Sequence, residues 1–528
     1  MDFTMDMSKF YAGRSLFLTG VTGFMGKVLL EKILRSCPDV SKIYVLIRPK
    51  KSLLPHERLA SIFDSPLFAK VIKENANCKD KVISVSGDVL QPHMGISEED
   101  NSHIQEDVSI VFHCAASVRF QEPFRDAIES NVRSVDRVIE LSKKMRKFEV
   151  LVHLSTAFAY CYRKHIEEKF YPINVNPKDL LNCSRWMSTE MMEKLAPSLL
   201  GDHPNTYTYT KSVAENLLLH HGIEHRTVIV RPSIVTSSWK EPMAGWCDSM
   251  NGPVGLVITF GKGLLRTMLG KRSAAANFVP VDVPINLMLA GAWKNVTQRN
   301  YESEPTIYNC TNPDSNRFLW GDLSDLLAYN AKLLPLDKPA RIPLYGSSIS
   351  PNRLRNKLEW IFCHWIPAYT VDGILRIARK RPKFVRWYKK INSMCDCLNY
   401  FTVRSWKWEN NNKQDLQKIM SDKDKETFYF DTSTLDWNKY IEDYHMGVKR
   451  YILHEKMEEL PNTRKWIQRR QTISKILKGL LLFLILYSLL QYDFVSQSNV
   501  LIACLFLFVH SAISYWMDPG QQPISKLR

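Results

Sequence analysis

Residues 15–26 read SLFLTGVTGFMG, a short apolar run followed by glycines at every third position. The run predicts a buried strand at Ser15–Leu18, and residues 25–34 predict an amphipathic helix directly after it. Gly20 suits a tight turn, Gly23 lets the backbone approach a pyrophosphate, and Gly26 allows close packing of helix on strand. The unpaired amides at the start of the helix favour an anion, so the stretch predicts a dinucleotide-binding turn. The other residues of the turn expected to contact the dinucleotide are Thr19, Thr22, Phe24 and Met25.

More apolar, β-branched runs follow the first one, without strict alternation of apolar and polar residues. Such runs are typical of strands buried on both faces of a parallel sheet. They lie at Ile43–Ile47, Val82–Ser86, Ser109–His113, Val150–Leu154 and Thr227–Val230. Helical patterns separate them, and this order predicts a Rossmann-like, doubly wound α/β domain. After about residue 350 the strand signal fades, which predicts a smaller α-helical C-terminal domain.

The C-terminal region carries two long apolar runs, Gly479–Leu490 and Val500–Trp516. Each is shorter than the roughly 20 residues of a spanning helix, so they predict one or two transmembrane segments within 476–517. The preceding residues, RKWIQRRQTISKILK, are strongly basic and predict a cytosolic position for that side. The expected domains are therefore 1–330 for dinucleotide and substrate binding, 350–460 for the helical domain, and 476–517 for the membrane segment.

Composition and charge exclude several classes of protein. The 528 residues carry 71 basic and 54 acidic side chains, a net charge of +17 that suits an anionic membrane or a polyanionic substrate. Without an RNA-binding signature or basic-aromatic repeats, a nucleic-acid partner is not expected. The eleven cysteines are scattered, which excludes a disulfide scaffold and suits a reducing compartment. His221 and His225 lack a third ligand nearby, so no metal is expected. The acidic N-terminus has no apolar signal region, so a cleaved secretory signal is not expected.

The end of the second predicted strand, IYVLIRPKKS, indicates which dinucleotide is bound. An NAD site favours a carboxylate here for the ribose 2′-hydroxyl, whereas this chain has Arg48, Lys50 and Lys51. A guanidinium suits a 2′-phosphate and favours NADP(H), although a solvated basic loop is the alternative interpretation. Asp88 and Val89, after the third strand, are expected near the adenine.

Two further elements are expected to bind the cofactor. Ala115 and Ala116 follow the fourth predicted strand and are small enough for the cofactor to lie across the strand ends. Asn131, in the next helix, is expected to support a water-linked proton path. Tyr207 and Lys211, further along the chain, complete the predicted cofactor contacts, with Lys211 expected to hold the nicotinamide ribose.

A Tyr-x-x-x-Lys spacing marks the predicted catalytic helix, at Tyr207 and Lys211. Residues four apart share a helix face, so the ammonium is expected near the hydroxyl, where a cation lowers the pKa of the tyrosine. Tyr209 points away from this face. Ser155 and Thr156 follow the fifth predicted strand, so a hydroxyl there is expected to hydrogen-bond a substrate carbonyl oxygen alongside Tyr207.

Together these segments resemble the extended short-chain dehydrogenase/reductase superfamily, and more specifically an alcohol-forming fatty acyl-CoA reductase of the animal type. The resemblance covers nearly the whole chain. It rests on TGVTGFMGKVLLEKILRS, IYVLIRPKK, VFHCAASVRF, HLSTAFAYC, NTYTYTKSVAE, RPSIVTSSWKEPMAGW and ETFYFDTSTLDWNKYIEDYHMGVKRYIL, in the family's order. It implies that Tyr207 is the general acid and that Lys211 is its electrostatic partner, with Thr156 the first choice for the third catalytic hydroxyl and Ser155 close behind. The resemblance further implies that NADPH reduces a long-chain fatty acyl-CoA through an aldehyde to the primary alcohol. It also implies that the alcohol supplies wax, ether-lipid or hydrocarbon synthesis.

Two alternatives and the cellular location stay open at this point. The first alternative is a sterol or sugar-nucleotide dehydrogenase, which would keep the same fold. The second is an NADP-binding membrane scaffold without turnover, which would not need Tyr207, Lys211 or Thr156. The expected location is a membrane with the catalytic domain facing the cytosol, the endoplasmic reticulum first and the peroxisome or lipid droplet as alternatives. Self-association as a homo-oligomer is left open.

Overall fold

A computed structural model describes residues 6–50, 53–250, 252–301, 304–342 and 348–491. The strands are β1 Ser15–Thr19, β2 Ile43–Ile47, β3 Val82–Ser86, β4 Val108–His113, β5 Val150–Leu154, β6 His165–Ile166, β7 Thr227–Pro232, β8 Ile234–Thr236, β9 Thr267–Leu269, β10 Phe278–Pro280, β11 Thr306–Cys310, β12 Ser348–Ser350 and β13 Lys407–Trp408. The helices are α1 Met7–Tyr11, α2 Phe24–Ser36, α3 Pro55–Phe63, α4 Ala69–Glu74, α5 Glu98–Asp107, α6 Phe124–Ile128, α7 Ser134–Lys144, α8 Pro177–Trp186, α9 Thr189–Leu200, α10 Thr206–Leu218, α11 Val254–Gly261, α12 Asp282–Thr297, α13 Trp320–Leu333, α14 Arg353–Trp360, α15 Ile366–Ile377, α16 Phe384–Thr402, α17 Asn411–Ile419, α18 Asp422–Thr427, α19 Trp437–Gly447 and α20 Leu460–Gln491.

A seven-stranded sheet with the order β11-β7-β5-β4-β1-β2-β3 organises the first part of the chain. Neighbouring strands are parallel throughout this sheet. Every residue of β1, β2, β4, β5 and β7 is buried, because helices cover both faces. The predicted Rossmann-like parallel sheet is therefore confirmed, and the helix-rich C-terminal region is confirmed with it.

The two faces of the sheet bury different sets of helices. On one face, Phe17, Val111 and Leu151 of the strands belong to a core shared with Val135 of α7 and Leu217 of α10. On the other face, α12 packs against β5, β7 and α2. Because the strands are parallel, the carboxyl ends of β1, β4 and β5 lie together at one edge of the sheet. A doubly wound sheet binds its ligands at this edge.

Strand register aligns the residues at that edge. Thr19, the last residue of β1, lies opposite His113 of β4, and His113 lies opposite His153 of β5. The segments that follow these strands therefore begin at nearly the same level of the sheet. They carry most of the residues for which the sequence predicts cofactor or catalytic roles.

The chain forms two compact units, and each is discontinuous in sequence. The first holds the chain up to Ser249 together with Ala275–Phe318 and Arg404–Asp436. The second holds Met250–Ala274, Leu319–Val403 and the chain from Trp437 onward. Within the second unit α13 packs on α11 and α19, and α15 packs on α16. The domain boundaries drawn from the sequence, at 330, 350 and 460, stay a prediction.

The predicted membrane segment is described in part. Gly479–Leu490 lies within α20, whereas Val500–Trp516 lies outside the described residues. Within the described part of the chain, no helix combines the length and apolarity that crossing a membrane requires.

Candidate active site

The glycine turn after β1 has no room for side chains at Gly20 and Gly26. Gly20 has a φ of +79°, and a Cβ there would lie 2.7 Å from the Ala115 nitrogen. A Cβ on Gly26 would lie 2.2 Å from the Gly20 carbonyl oxygen. Gly23 is the N-cap of α2 and has no side chain with which to cap the helix. The first amides of α2 are thus presented to an anion, as a dinucleotide pyrophosphate requires.

Two of the other turn residues make contacts within the protein. The Thr19 hydroxyl lies 2.8 Å from Nδ1 of His113 and accepts a hydrogen bond from the Ala115 amide at 3.3 Å. The Phe24 ring stacks on Trp246 with 5.4 Å between ring centroids. Thr19 therefore joins β1 to β4, and Phe24 fixes the start of α2. Thr22 and Met25 are half-buried at the same turn.

The residues after β2 and β3 form a small charged site at the edge of the sheet. The Arg48 guanidinium lies 3.6 Å from the Asp88 carboxylate, and 61% of its side chain is exposed. Asp88 also accepts a hydrogen bond from the Leu90 amide at 3.1 Å, which orients the carboxylate. Lys50 is described, whereas Lys51 lies outside the described residues.

Two arginines that sequence reasoning missed contact this site. Arg58 of α3 donates to the Arg48 carbonyl, and Arg137 of α7 donates to the Val89 carbonyl at 2.6 Å. Both belong to helices without a recognisable motif. Their position therefore depends on tertiary packing that the sequence pattern did not indicate.

Asn131 braces the segment that follows β4. Its amide oxygen accepts from the Ser117 amide at 2.8 Å, and its Nδ2 donates to the Ser117 carbonyl at 3.1 Å and to Thr210 Oγ1 at 3.0 Å. The side chain is buried, in a π-helical turn at Glu129–Arg133. Asn131 thus ties α10 to the segment that includes Ala115 and Ala116, both half-buried.

Tyr207 stands at the start of α10 with its hydroxyl beside Thr156. Asn205 caps this helix by accepting from the Thr208 amide at 2.9 Å. The Tyr207 ring stacks on Phe120, with 5.7 Å between centroids. Burial raises the pKa of Tyr207 to about 12, and the hydrogen bond with Thr156 opposes that rise. The phenol therefore keeps its proton at neutral pH and is available to donate it.

Lys211 is buried one turn further along α10. Its ammonium donates to the Leu154 carbonyl at 2.8 Å, at the end of β5. Burial lowers the pKa of Lys211 to about 8, and the negative charge of Glu215 opposes the shift. Within the described residues, the polar groups that engage the pair are thus Thr156 for the tyrosine and Leu154 for the lysine. The sequence predicted the ammonium near the Tyr207 hydroxyl, with a lowered pKa for the tyrosine. The direction of that shift was wrong, because burial raises the pKa of Tyr207 and the ammonium donates to the Leu154 carbonyl.

Tyr209 occupies a different environment from Tyr207, as its position two residues along the helix predicts. It is buried, and its ring packs against Phe124 at 5.7 Å and His203 at 5.4 Å between centroids. Burial also raises the pKa of Tyr209 to about 12. Tyr209 therefore belongs to the core below the site.

A buried ion pair that sequence reasoning missed supports the catalytic segment. Arg231 of β7 and Glu215 of α10 are both fully buried and lie 2.6 Å apart. The Ser155 hydroxyl donates to the same Glu215 carboxylate. Glu215 follows Lys211 by four residues, and this spacing on a helix was the available signal. Ser155 thus anchors the segment, while Thr156 faces the tyrosine.

Two tryptophans from late in the chain also hold this segment. Trp406 donates to the Cys161 carbonyl at 2.8 Å, and Trp408 donates to the Ala157 carbonyl at 3.1 Å. Both rings meet Phe158 edge to face, with centroids 5.4 and 5.6 Å away. The turn directly after Thr156 is therefore fixed by residues about 250 positions away in sequence.

In the described part of the chain, no group of three or more His, Cys, Asp or Glu side chains is placed to hold a metal ion. The His221 amide donates to Glu224 at 2.6 Å, and burial lowers the pKa of the His221 imidazole. The ten cysteines of the described residues are all free.

The parallel sheet, the glycine turn and the Tyr207–Lys211 helix define a nicotinamide-dependent oxidoreductase of the extended short-chain dehydrogenase/reductase type. Models of the family described as male sterility protein match residues 18–288 and 363–455. The chain is 41% identical to fatty acyl-CoA reductase 1 of Rattus norvegicus over 91% of this chain and 93% of that protein. It is 36% identical to fatty acyl-CoA reductase 2 of Bos taurus, over 92% of this chain and 93% of that protein. The chain belongs to the fatty acyl-CoA reductase family.

Solved structures show the same fold at low identity. The terminal R domain of the myxalamid biosynthetic pathway aligns with a TM-score of 0.54 and 17% identity, over 83% of this chain and 90% of that one. The R domain of a non-ribosomal peptide synthetase from Mycobacterium tuberculosis aligns with a TM-score of 0.54 and 16% identity, over 84% and 92%. At these identities the likeness concerns the fold.

Proposed function

We propose that this enzyme reduces a long-chain fatty acyl-CoA to the primary alcohol and free coenzyme A, through an aldehyde that stays bound, with NADPH as reductant. The observation that carries the proposal is the likeness to named fatty acyl-CoA reductases over more than nine tenths of the chain. The geometry at the end of β5 supports it, because Tyr207, Thr156 and Lys211 surround one edge of the sheet.

The residues at that edge fit a nicotinamide dinucleotide. A Cβ at Gly20 or Gly26 would collide with the protein backbone, so the tight turn requires both glycines. The first amides of α2 would bind the charge of the pyrophosphate. Ala115 and Ala116 leave room across the strand ends. When bound, the cofactor supplies one hydride to the thioester carbonyl carbon and a second to the aldehyde, so two equivalents are used per alcohol.

Tyr207 and Thr156 stabilise the oxygen that becomes negative in both reductions. The carbonyl oxygen gains charge as its carbon becomes tetrahedral, and two preorganised hydroxyl donors hold that charge. The first tetrahedral product is a hemithioacetal, and its carbon–sulfur bond breaks to release coenzyme A and leave the aldehyde. No enzyme thiol is required, because the acyl group arrives as a thioester.

Proton transfer completes the second reduction. Tyr207 donates its proton to the alkoxide, since its raised pKa keeps the phenol protonated in the resting enzyme. Lys211 supplies positive charge beside the developing phenolate and holds the ribose of the cofactor. Glu215 and Arg231 act through Ser155 and serve as positioning residues.

Preference for NADPH is proposed from the charges after β2. Arg48 is exposed and carries a guanidinium suited to a 2′-phosphate, and Arg58 is held against its carbonyl. The Asp88 carboxylate lies 3.6 Å from the Arg48 guanidinium. A 2′-phosphate would replace that carboxylate as the partner of the guanidinium.

Membrane attachment through the C-terminal tail is the second part of the proposal, with the catalytic unit facing the cytosol and the endoplasmic reticulum as the first location. The apolar runs at Gly479–Leu490 and Val500–Trp516 and the basic residues before them support it. Removing residues from Arg470 onward is expected to make the protein extractable by carbonate with cofactor affinity retained. A truncated chain that still resists carbonate would contradict the tail anchor.

A product assay tests the catalytic proposal. The detergent-purified protein is incubated with NADPH and palmitoyl-CoA, and hexadecanol, hexadecanal and free coenzyme A are quantified by mass spectrometry. We expect hexadecanol with two NADPH oxidised for each coenzyme A released, across a series of acyl chain lengths. An enzyme that releases aldehyde with one NADPH oxidised, or that oxidises no NADPH with acyl-CoA, would contradict the proposal.

A further inference from the structure

One long helical surface of the second unit exposes an unusual number of large apolar side chains. It runs through α14, a π-helical turn at Ile361–Trp365 and α15. Phe362 is 64% exposed and Ile377 is 86% exposed. The other exposed members are Leu354, Leu358, Ile361, Ile366, Tyr369, Val371 and Ile374. We call this set of nine side chains the apolar face.

The orientation of this surface is set by a buried stripe on its opposite side. Trp360, His364 and Ala368 follow one another at intervals of four residues, and all three are buried. The His364 ring accepts a hydrogen bond from the Arg266 amide at 3.1 Å within the same unit. A surface helix normally turns its apolar side inward and its polar side to solvent. Here the inner side is already buried within the unit, and a second apolar side is exposed on the surface.

The acidic side chains of this surface are engaged within the protein. The Asp372 carboxylate is buried and accepts from the amides of Lys383, Phe384 and Val385, which caps α16. Glu359 pairs with Arg355 at 2.8 Å and accepts from Thr267 at 2.5 Å. Between residues 361 and 371 the sequence has no Asp, Glu, Lys or Arg at all. The middle of the apolar face is therefore uncharged.

Basic side chains border the apolar face at its C-terminal end. Residues 353–390 contain eleven Lys or Arg and two acidic residues. The exposed basic residues in the last turn of α15 and in the segment after it are Arg376, Arg379, Lys380, Arg381, Lys383, Arg386, Lys389 and Lys390. Protein–protein interfaces are depleted in lysine, whereas an apolar helix face with a Lys/Arg border is typical of binding at an anionic lipid surface.

We propose that the apolar face docks on the anionic leaflet of a lipid membrane. Phe362, Ile366 and Tyr369 enter the boundary between headgroups and acyl chains, and the basic residues after Ile374 meet the lipid phosphates. Contiguous exposed apolar side chains rimmed by polar residues are typical of interaction sites. The inference depends on this surface and not on the reductase activity or on the C-terminal tail.

Site-specific crosslinking of the full chain tests the docking. Photoreactive benzoylphenylalanine replaces Phe362 in one protein and Trp186, an exposed side chain of the first unit, in the control. Each is mixed with vesicles of phosphatidylcholine with or without phosphatidylserine and irradiated. We expect lipid adducts at position 362, more of them with phosphatidylserine, and few at position 186. The proposal would be overturned if position 362 crosslinked to a second copy of the protein or to residues 492–528. It would also be overturned if position 362 formed no crosslink.

A charge-reversal pair separates the basic border from the apolar contact. Arg379→Glu with Lys380→Glu is expected to reduce lipid adducts at position 362 about tenfold or more in phosphatidylserine vesicles. Lys144→Glu with Lys147→Glu, exposed on the first unit, is the matched control and should leave the yield unchanged. High salt should act like the first pair. A yield of lipid adducts that changes with neither the charge reversal nor the salt concentration would overturn the electrostatic part of the proposal. Acyl-CoA reduction in detergent is measured for each variant, and unchanged activity shows that it folds.

Discussion

The glycine turn and the support of the catalytic segment lie at one edge of the same sheet, yet they are built differently. The turn at residues 20–26 depends on glycines whose added Cβ atoms would collide with backbone, some of it only six residues away. The support at Ser155 depends on Glu215 and Arg231, which lie 60 and 76 positions further along the chain. At Gly26 the turn packs locally in sequence and at Gly20 it packs against Ala115, whereas the support of Ser155 comes entirely from residues far along the chain.

The largest expected effect comes from breaking the long-range region. Glu215→Gln leaves the Arg231 guanidinium buried without a charged partner, and we expect a loss of about 3–5 kcal/mol in the free energy of unfolding. Chemical denaturation of the purified protein measures it. Lys194→Gln breaks the exposed pair with Glu190, whose partners are 74% and 79% exposed, and should change stability by about 0–1 kcal/mol. Equal losses in both variants would show that burial does not decide the effect.

The local region is broken by Gly26→Ala. The new Cβ would lie 2.2 Å from the Gly20 carbonyl oxygen, so the turn must move. Overpacking of this kind costs about 1–3 kcal/mol, and cofactor affinity should fall by roughly 5- to 150-fold. Gly373→Ala is the control, because a Cβ there meets nothing within 4 Å. Calorimetric titration with NADPH measures both, and an unchanged affinity for Gly26→Ala would show that the turn does not hold the dinucleotide.

The sheet was predictable from sequence because its strands are short, apolar runs with local signals. The bounds of β2, β3 and β5 are those predicted, and β1, β4 and β7 differ by one or two residues. The strand β11 was missed, since its run TIYNC contains Asn309. The Asn309 amide donates to the Glu409 carbonyl at 2.7 Å, a partner that no local pattern indicates.

The candidate site was predictable where a residue type is required at a position, as with the glycines and the Tyr-x-x-x-Lys spacing. The partners of those residues were not predictable. Lys211 engages the Leu154 carbonyl, and Asn131 braces Ser117 and Thr210. Hydrogen-bond partners depend on tertiary packing, which one sequence without its fold does not specify.

Substitution of Arg48 tests whether this residue determines the preference for NADPH over NADH. Arg48→Asp places a carboxylate where a 2′-phosphate would bind, and a lost hydrogen bond to a charged group is worth about 1.5–3 kcal/mol. We expect the Kd for NADPH to rise roughly 10- to 150-fold and the Kd for NADH to change little. Equal weakening of both cofactors would show that Arg48 does not contact that phosphate.

The pH dependence sharpens the long-range side. Burial lowers the pKa of Lys211 to about 8, so its ammonium is present below that pH and is lost above it. Tyr207, with a pKa raised to about 12, stays protonated across this range. We expect kcat to fall by about tenfold per pH unit above pH 8, and Lys211→Arg to lose that fall because guanidinium stays charged. A kcat that rises through pH 8 would contradict the assigned role of the lysine.

Substitution of the two neighbouring tyrosines tests the central claim most directly. Tyr207→Phe and Tyr209→Phe each remove one hydroxyl and keep the ring, so NADPH affinity and alcohol formation from acyl-CoA and from aldehyde are measured for both. Tyr207→Phe is expected to lose about 10²–10⁴-fold in both reductions at nearly unchanged NADPH affinity, while Tyr209→Phe should stay close to the parent enzyme. An inactive Tyr209→Phe enzyme beside a Tyr207→Phe enzyme that still makes alcohol would contradict the central claim.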